Sequence, residues 1–338
     1  MRCARIKADG AGYYHVMSRA IERRFIFDRR GKEKFHEIMR KLEAFCGVRI
    51  ITYTILDSHW HILLEVPVHR AITDEELIRR IEILYDTPTA RMIHLQLQEL
   101  READNNETAE RLKAGFTYRM YDLSEFCKTL KQRFSMYYNR KHDREGTLWN
   151  QRFKSILVER SRNALLTMAA YIDLNAVRAG IVKDPKDYRW CGYGEAVAAK
   201  GEARDGLIYV MQALGNDTDW SKVSAEYRKY IYQEGEQKGI GPEGEPLRPG
   251  FQAQQVKQVL VTGGRLSRNE ILRCRVRYFS DGLVLGSQAF VEEQFLRYRD
   301  QFGIKRKNGA RAMKYAEWNG LSTMRNLQKA VIFVPTVA

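Results

Sequence analysis

At 338 residues, 44% of them hydrophobic, the chain is long enough for two domains with a sizeable core, and its apolar runs fall far short of the ~18 residues of a membrane span. Lysine and arginine number 57 against 42 acidic residues, and the net charge of +15 points to a polyanionic partner, nucleic acid before an acidic membrane. Five scattered cysteines with no Cys-x-x-Cys pair indicate neither a disulfide framework nor a zinc ribbon, and an opening "MRCARIKADG" without an apolar h-region sets the expectation of a soluble, cytoplasmic protein with no membrane partner.

Along the chain, "GYYHVMSRA" (Gly12 to Ala20) reads as a strand. "GKEKFHEIMRKLEAF" follows as a helix, with Phe35, Ile38, Met39, Leu42 and Phe45 at helical spacing. "RIITYTIL" and "HWHILLEV" are β-rich runs parted only by Asp57 and Ser58, the pattern of a tight hairpin. Residues 71–118 read as a helical insertion: Thr73 and Glu76 form a capping box, Thr87-Pro88 starts a second helix, and "READNNETAE" reads as polar loop. A long helix from Asp122 carries Phe126, Leu130, Phe134 and Tyr137 or Tyr138 on one face. "TLWNQRFKSILVE" is strand-like, and "RNALLTMAAYIDLNAVRAG" is a helix closed by Gly180.

Between Tyr232 and Gln252 the composition shifts to Gly, Glu and Pro, which marks a linker. The expected division is therefore a domain over 1–200, a helix and linker over 201–252, and a C-terminal helical unit over 253–338. In that last unit Ser267 with Glu270, and Ser287, are N-caps of two helices joined through "SDGLVLG", a candidate helix-turn-helix for DNA.

"LDSHWHILLEVP" holds the most specific signal. Successive side chains of a strand face opposite ways, so His59, His61, Leu63 and Glu65 share one face and Trp60, Ile62, Leu64 and Val66 the other. The second face is wholly apolar and belongs to the core. The two imidazoles then stand roughly 6–7 Å apart at Cβ, a spacing at which both reach one divalent metal given a further ligand from elsewhere. Two surface histidines on a solvated strand face are the alternative, and Glu65 is either an additional ligand or a solvated charge.

The pattern His-x-His after "YTILDS", followed by "GTLWNQRFKSILVE", "YIDLNAVRAGIV" and "DPKDYRWCGYGE", resembles the HUH nucleases, closest to the single-tyrosine REP-associated transposases, over roughly residues 10–200. The C-terminal "RVRYFSDGLVLGSQAFVEEQF" resembles the extension of a longer subgroup. The resemblance implies an α+β fold, a ferredoxin-like α/β sandwich with a mainly antiparallel sheet. It implies a metal-dependent single-strand DNA endonuclease and strand transferase that acts on single-stranded or hairpin DNA through a 5′-phosphotyrosine intermediate. It further implies Tyr171 as nucleophile and Asn175, with His59 and His61, as ligands of Mg²⁺ or Mn²⁺. Positions i and i+4 of a helix share a face, which suits Tyr171 and Asn175 to one site. The chain departs from the family pattern at Asp57-Ser58, where most relatives carry Pro-Asn, at Ala176, where most carry proline, and in the insertion. Relatives occur as monomers and as domain-sharing dimers, and the asparagine-type motif leans towards the monomer.

Between Phe126 and Arg162 ten lysines and arginines face three carboxylates. Arg133, Lys141, Arg152 and Lys154, with Arg178 in the tyrosine motif, are candidate phosphate contacts, and the interleaved Trp149 and Phe153 are candidates for stacking on unpaired bases. A solvated basic helix face is the alternative for the first half of this stretch. A DNA- or RNA-binding regulator that does no cutting is the rival reading of the chain, and a metallohydrolase without a covalent intermediate a third.

Overall fold

The computed structural model describes residues 5–199, 201–212, 219–232, 272, 275–324 apart from 315 and 317, and 332–333. The Ser267–Glu270 capping box and most of the linker lie outside the described residues.

The hairpin that carries the histidines forms as its sequence demands. β2 (Arg49–Ile55) and β3 (His59–Val66) pair antiparallel with Ile55 opposite Trp60, and Asp57-Ser58 lies in the turn. β1 (Gly12–Arg19) lies on the other side of β3, so that Met17 faces His61 and Arg19 faces His59. β4 (Lys154–Val158) pairs antiparallel with β1, giving the order β4-β1-β3-β2 of a split β-α-β sandwich. Of the longer strand expected around β4, only these five residues extend.

α1 (Arg29–Cys46) is capped by Asp28, whose carboxylate accepts from Gly31 N, and it stops at Gly47 in the left-handed region. Phe35, Ile38, Met39, Leu42 and Phe45, all buried, lie in one apolar cluster with Trp60, Ile62 and Leu64 and with Phe126, Leu130 and Phe134 of α5 (Leu123–Lys141). The insertion adds α2 (Asp74–Leu84), α3 (Thr87–Glu102) and α4 (Asn106–Thr117) to this layer. The last of these corrects an expectation, because most of the polar stretch "READNNETAE" is helix rather than loop. Only Ala109 of it is fully buried, Asn105 caps it through Thr108 N, Arg101 links Asp74 to Glu110 and Lys113 binds Asp74. Leu112 and Phe116 add a partly buried apolar stripe on the same side, so caps, ion pairs and packing carry the helix together.

The other face of the sheet is covered too. α6 (Arg162–Asp173) is nearly all buried against Tyr13, Met17, Ile51 and Leu63, with α8 (Gly192–Ala198), α9 (Glu202–Gln212) and α10 (Trp220–Tyr232) beside it. α9 approaches β2 so closely that a Cβ on Gly206 would stand 2.4 Å from the Ile51 carbonyl oxygen. Residues 202–232, set apart from the first domain in the sequence reading, therefore pack into the same core. The solvated-face alternative fails for His61, which is only 5% exposed, while His59 is half-buried.

The helix expected to run through to Gly180 breaks at Leu174, and α7 (Asn175–Arg178) continues it by one short turn before Gly180 turns left-handed. Asp173, just before the break, accepts from Thr52 Oγ1, Tyr227 Oη and Tyr193 N and is wholly buried. Burial outweighs these donors and raises its pKa from 3.8 to about 6. The folded state thus holds this proton more tightly than the unfolded chain, so stability falls as pH rises from about 4 through 6. Asp173→Asn is expected to flatten that slope, read as the difference in urea midpoint between pH 5 and pH 7; an unchanged slope contradicts it.

Beyond residue 274 the "SDGLVLG" segment is not the turn of a helix-turn-helix. After β5 (Arg275–Val276) and the single turn α11 (Tyr278–Asp281), β6 (Val284–Ser287) pairs parallel with β4. Ser287 does cap a helix, α12 (Gln288–Arg297), which buries Val291 and Phe295. β7 (Arg311–Ala312) and β8 (Leu321–Thr323) then extend the sheet to seven strands, order β2-β3-β1-β4-β6-β8-β7, and β9 (Ile332–Phe333) pairs with β5. The α+β class and the mainly antiparallel sheet are as expected. Two- to four-residue strands bury too few alternating side chains to announce themselves in a sequence. Among the described residues no helix is long and apolar enough to cross a membrane.

Candidate active site

β3 presents His59 and His61 to the face covered by α6, and α6 with α7 presents Tyr171 and Asn175 back to it. All four line one cavity of about 450 Å³, together with Ser18, Arg19, Asn150, Gln151, Arg152, Lys154, Arg178 and Ser280. A nucleotide fits a space of this size. The Tyr171 ring lies 6.4 Å from that of His61, edge to face, and the His59 and His61 rings are 5.3 Å apart. Ser58 Oγ stands 3.1 Å from His59 Nδ1.

Tyr171 is 2% exposed, so it meets solvent only through the cavity wall. Phe279 of α11 packs 4.7 Å from its ring. The Arg178 guanidinium lies 4.0 Å over the same ring and donates to the backbone carbonyls of Tyr171 and Leu272. A cation held over a phenol favours the build-up of negative charge on it.

Burial and the neighbouring His15 and His59 hold the His61 imidazole well below its ordinary pKa. It is therefore neutral near pH 7, the form in which an imidazole offers a lone pair. Asn175 is 8% exposed and its Nδ2 finds no hydrogen-bond partner. Asn175 lines the cavity, and the carbonyl oxygen of a carboxamide is a donor atom for a hard cation. Two imidazoles and one carboxamide are donors that fit a divalent cation, and because all are neutral they leave its charge for a phosphate. Among the described residues no group of three His, Cys, Asp or Glu side chains is placed to hold a metal.

Of the nucleic-acid candidates, Arg152, Lys154 and Arg178 line the cavity, Lys154 also bonding Asp281 at 2.6 Å. The others lie outside the cavity lining. Trp149, 8% exposed, lies 6.2 Å from Phe27 and 6.0 Å from Phe134 and donates its indole N–H to Ser135, so it is core rather than a stacking platform. Phe153 is equally buried, with Arg5 3.7 Å above its ring. Arg133 bonds the Leu84 carbonyl and packs over Tyr85, and Lys141 is paired with Asp28, both outside the cavity lining. Glu65 accepts from Tyr13 and Tyr209 and is outside the lining as well.

The sequence reading missed His15. It shares the β1 face of Tyr13 and Met17, is fully buried, and brings Nε2 within 2.8 Å of His61 Nδ1. The available signal was a third histidine of matching parity in "GYYHVM"; what was lacking was the register that lays β1 along β3. Arg19, Asn150 and Ser280 also went unnoticed, for they reach the cavity from strand ends and a remote turn.

The fold and cavity define an α/β protein with helices on both faces of its sheet and a tyrosine and a histidine pair converging at one of them. Residues 10–108 match the family model of IS200-like transposases, a stretch that contains His15, His59 and His61 but ends before Tyr171. Among solved structures the chain is similar to a REP-associated tyrosine transposase bound to a REP hairpin, with 14% identity and a TM-score of 0.39 over 59% of this chain and 86% of the other. No curated protein matches it.

Proposed function

We propose that this protein is a transposase-type enzyme, a metal-dependent single-strand DNA endonuclease and strand transferase with Tyr171 as nucleophile. The observation that carries the reading is the convergence of Tyr171, Asn175, His59 and His61 on one cavity whose wall also holds Arg19, Arg152, Lys154 and Arg178. Its substrate is single-stranded DNA or the single-stranded flank of a hairpin, because an unpaired strand brings one phosphodiester into a recess of this size. A monomer contains the whole site.

The cationic residues draw in the DNA backbone and hold one phosphate in the cavity. Tyr171 Oη attacks the phosphorus, the bond to the 3′ oxygen breaks, and that oxygen leaves as a hydroxyl after taking up a proton. The phenol proton leaves through the cavity mouth. Arg178, fixed by two backbone carbonyls, faces the Tyr171 ring and offsets charge that develops on the phenolic oxygen. Mg²⁺ or Mn²⁺, which His59, His61 and Asn175 would hold, supplies Lewis-acid stabilisation of the phosphate when bound. The 5′-phosphotyrosine conserves the bond energy, so a different 3′-hydroxyl can displace Tyr171 without ATP.

Incubation with labelled single-stranded and hairpin oligonucleotides and Mn²⁺ is expected to give a denaturation-resistant protein–DNA adduct and a free 3′-hydroxyl product, both lost in EDTA. Hydrolysis without an adduct contradicts the reading. A regulator that binds nucleic acid without cutting draws support from the burial of Tyr171 under Phe279; it predicts binding with neither product.

A further inference from the structure

His15 lies in the middle of β1, wholly buried, at 2.8 Å from His61 through its Nε2 and the Nδ1 of His61. The two ring planes are only 22° apart, which suits an N–H···N bond lying near both planes. One nitrogen of the pair carries the shared proton. If His15 carries it, His61 has its own proton on Nε2 and offers the cavity no lone pair. If His61 carries it, His61 Nε2 is left as a bare donor.

We propose that His15 is a positioning residue, which accepts the proton of His61 Nδ1 and so locks His61 in the tautomer whose Nε2 lone pair faces the catalytic cavity and a divalent cation there. The inference rests on the metal-dependent reading above and adds a residue to it. Metal-bound histidines commonly have the other ring nitrogen fixed by a partner of this kind, though a carboxylate or carbonyl is the more usual one. Here burial keeps the His15 imidazole neutral, and a neutral imidazole is the acceptor.

The assignment has a consequence for the far side of His15. With Nε2 accepting, its own proton must sit on Nδ1, a buried atom with no partner at hydrogen-bond distance. The backbone of Phe279 bears on the ring from beyond that distance and favours a proton on it. Phe279 also packs on Tyr171 and its neighbour Ser280 lines the cavity, so α11 touches both halves of the site. His15, whose ring is 6.2 Å from that of Tyr171, is the link between them.

Long-range ¹H–¹⁵N spectra of the metal-free protein read the His61 tautomer directly. The expected result is a proton on Nδ1 of His61 and on Nδ1 of His15; a proton on His61 Nε2 overturns the proposal without any variant. Mn²⁺ titration followed by electron paramagnetic resonance then compares wild type with His15→Phe, which keeps a ring but removes the acceptor, and His15→Gln, which keeps an acceptor. His15→Phe is expected to bind Mn²⁺ about 10–100-fold more weakly, while His15→Gln retains most of the affinity. Equal affinity of His15→Phe and wild type, or an equal loss in both variants, overturns the role of His15. Should His15→Phe lose its melting transition, the wild-type tautomer and His15→Gln decide. A wild type that takes up no Mn²⁺ is the separate failure, that of the metal-dependent reading, and it removes the purpose assigned to His15 as well.

Discussion

Tyr171→Phe is expected to abolish covalent protein–DNA adducts and strand cleavage, a loss of at least ~10³-fold, or about 4 kcal/mol of barrier, while leaving DNA affinity within a few-fold of wild type. The substitution removes one oxygen and nothing else. The ring contacts to Phe279, Arg178, His15 and His61 are all made by the aromatic face or edge and remain. Arg19, Arg152 and Lys154, which supply the attraction for phosphate, are untouched. A structural role alone predicts the opposite pattern, since phenylalanine fills the same space and activity would persist. Gel separation of labelled oligonucleotide from protein after denaturation measures the adduct, and a filter-binding curve measures affinity. Undiminished adducts remove Tyr171 from its assigned place.

The second large effect concerns stability. Trp60 is fully buried in β3, 5.6 Å from Phe35, on the face opposite His59 and His61. Trp60→Ala is expected to cost about 3–5 kcal/mol, a large part of the ~5–15 kcal/mol by which a domain is typically stable. Trp60→Phe retains most of the packing and removes an indole N–H that has no partner, so its cost is expected to be far smaller. Urea denaturation at constant m-value measures both. A loss below about 1 kcal/mol for the alanine variant contradicts the packing described here. The alanine variant should also weaken cleavage, because Trp60 sits between the two histidines and fixes the plane from which both project.

These two positions show what was legible in the chain. The alternation in "HWHILLEV" was enough to place Trp60 in the core and the histidines together on the other face, because a strand of eight residues leaves little freedom in which side chain points where. Tyr171 was not legible from its own surroundings. It stands in an apolar helix where core packing is the plain expectation, and the structure does bury it; only the resemblance of "YIDLNAVRAG" to the tyrosine transposases singled it out. Trp149 and Phe153 were misread because basic residues interleaved with aromatics look alike whether the aromatics face DNA or the core. What decides is contact with Phe27 and Arg5, more than a hundred residues away. His15 was invisible for a related reason, since parity is local but strand pairing is not. In the C-terminal part the capping serine was legible and the strand before it was not: four residues paired in parallel with β4 owe their form to β4 rather than to their own pattern.

The insertion illustrates the converse. Its first two helices were readable from a capping box and a Thr-Pro start, while the third rests on Asn105, Arg101 and Lys113. Its apolar stripe, Ala109, Leu112 and Phe116, begins only at the end of the polar run "READNNETAE", so the cap and ion pairs that start the helix leave no periodic trace there.

The central claim is that one phenol among the 18 tyrosines carries the chemistry at the histidine strand. Its most direct measurement is to form the adduct with a single-stranded oligonucleotide and Mn²⁺, digest the protein, and locate the nucleotide by mass spectrometry. The account predicts a single modified peptide, with the 5′-phosphate on Tyr171. A nucleotide on another tyrosine, or cleaved DNA with no modified peptide at all, would contradict it.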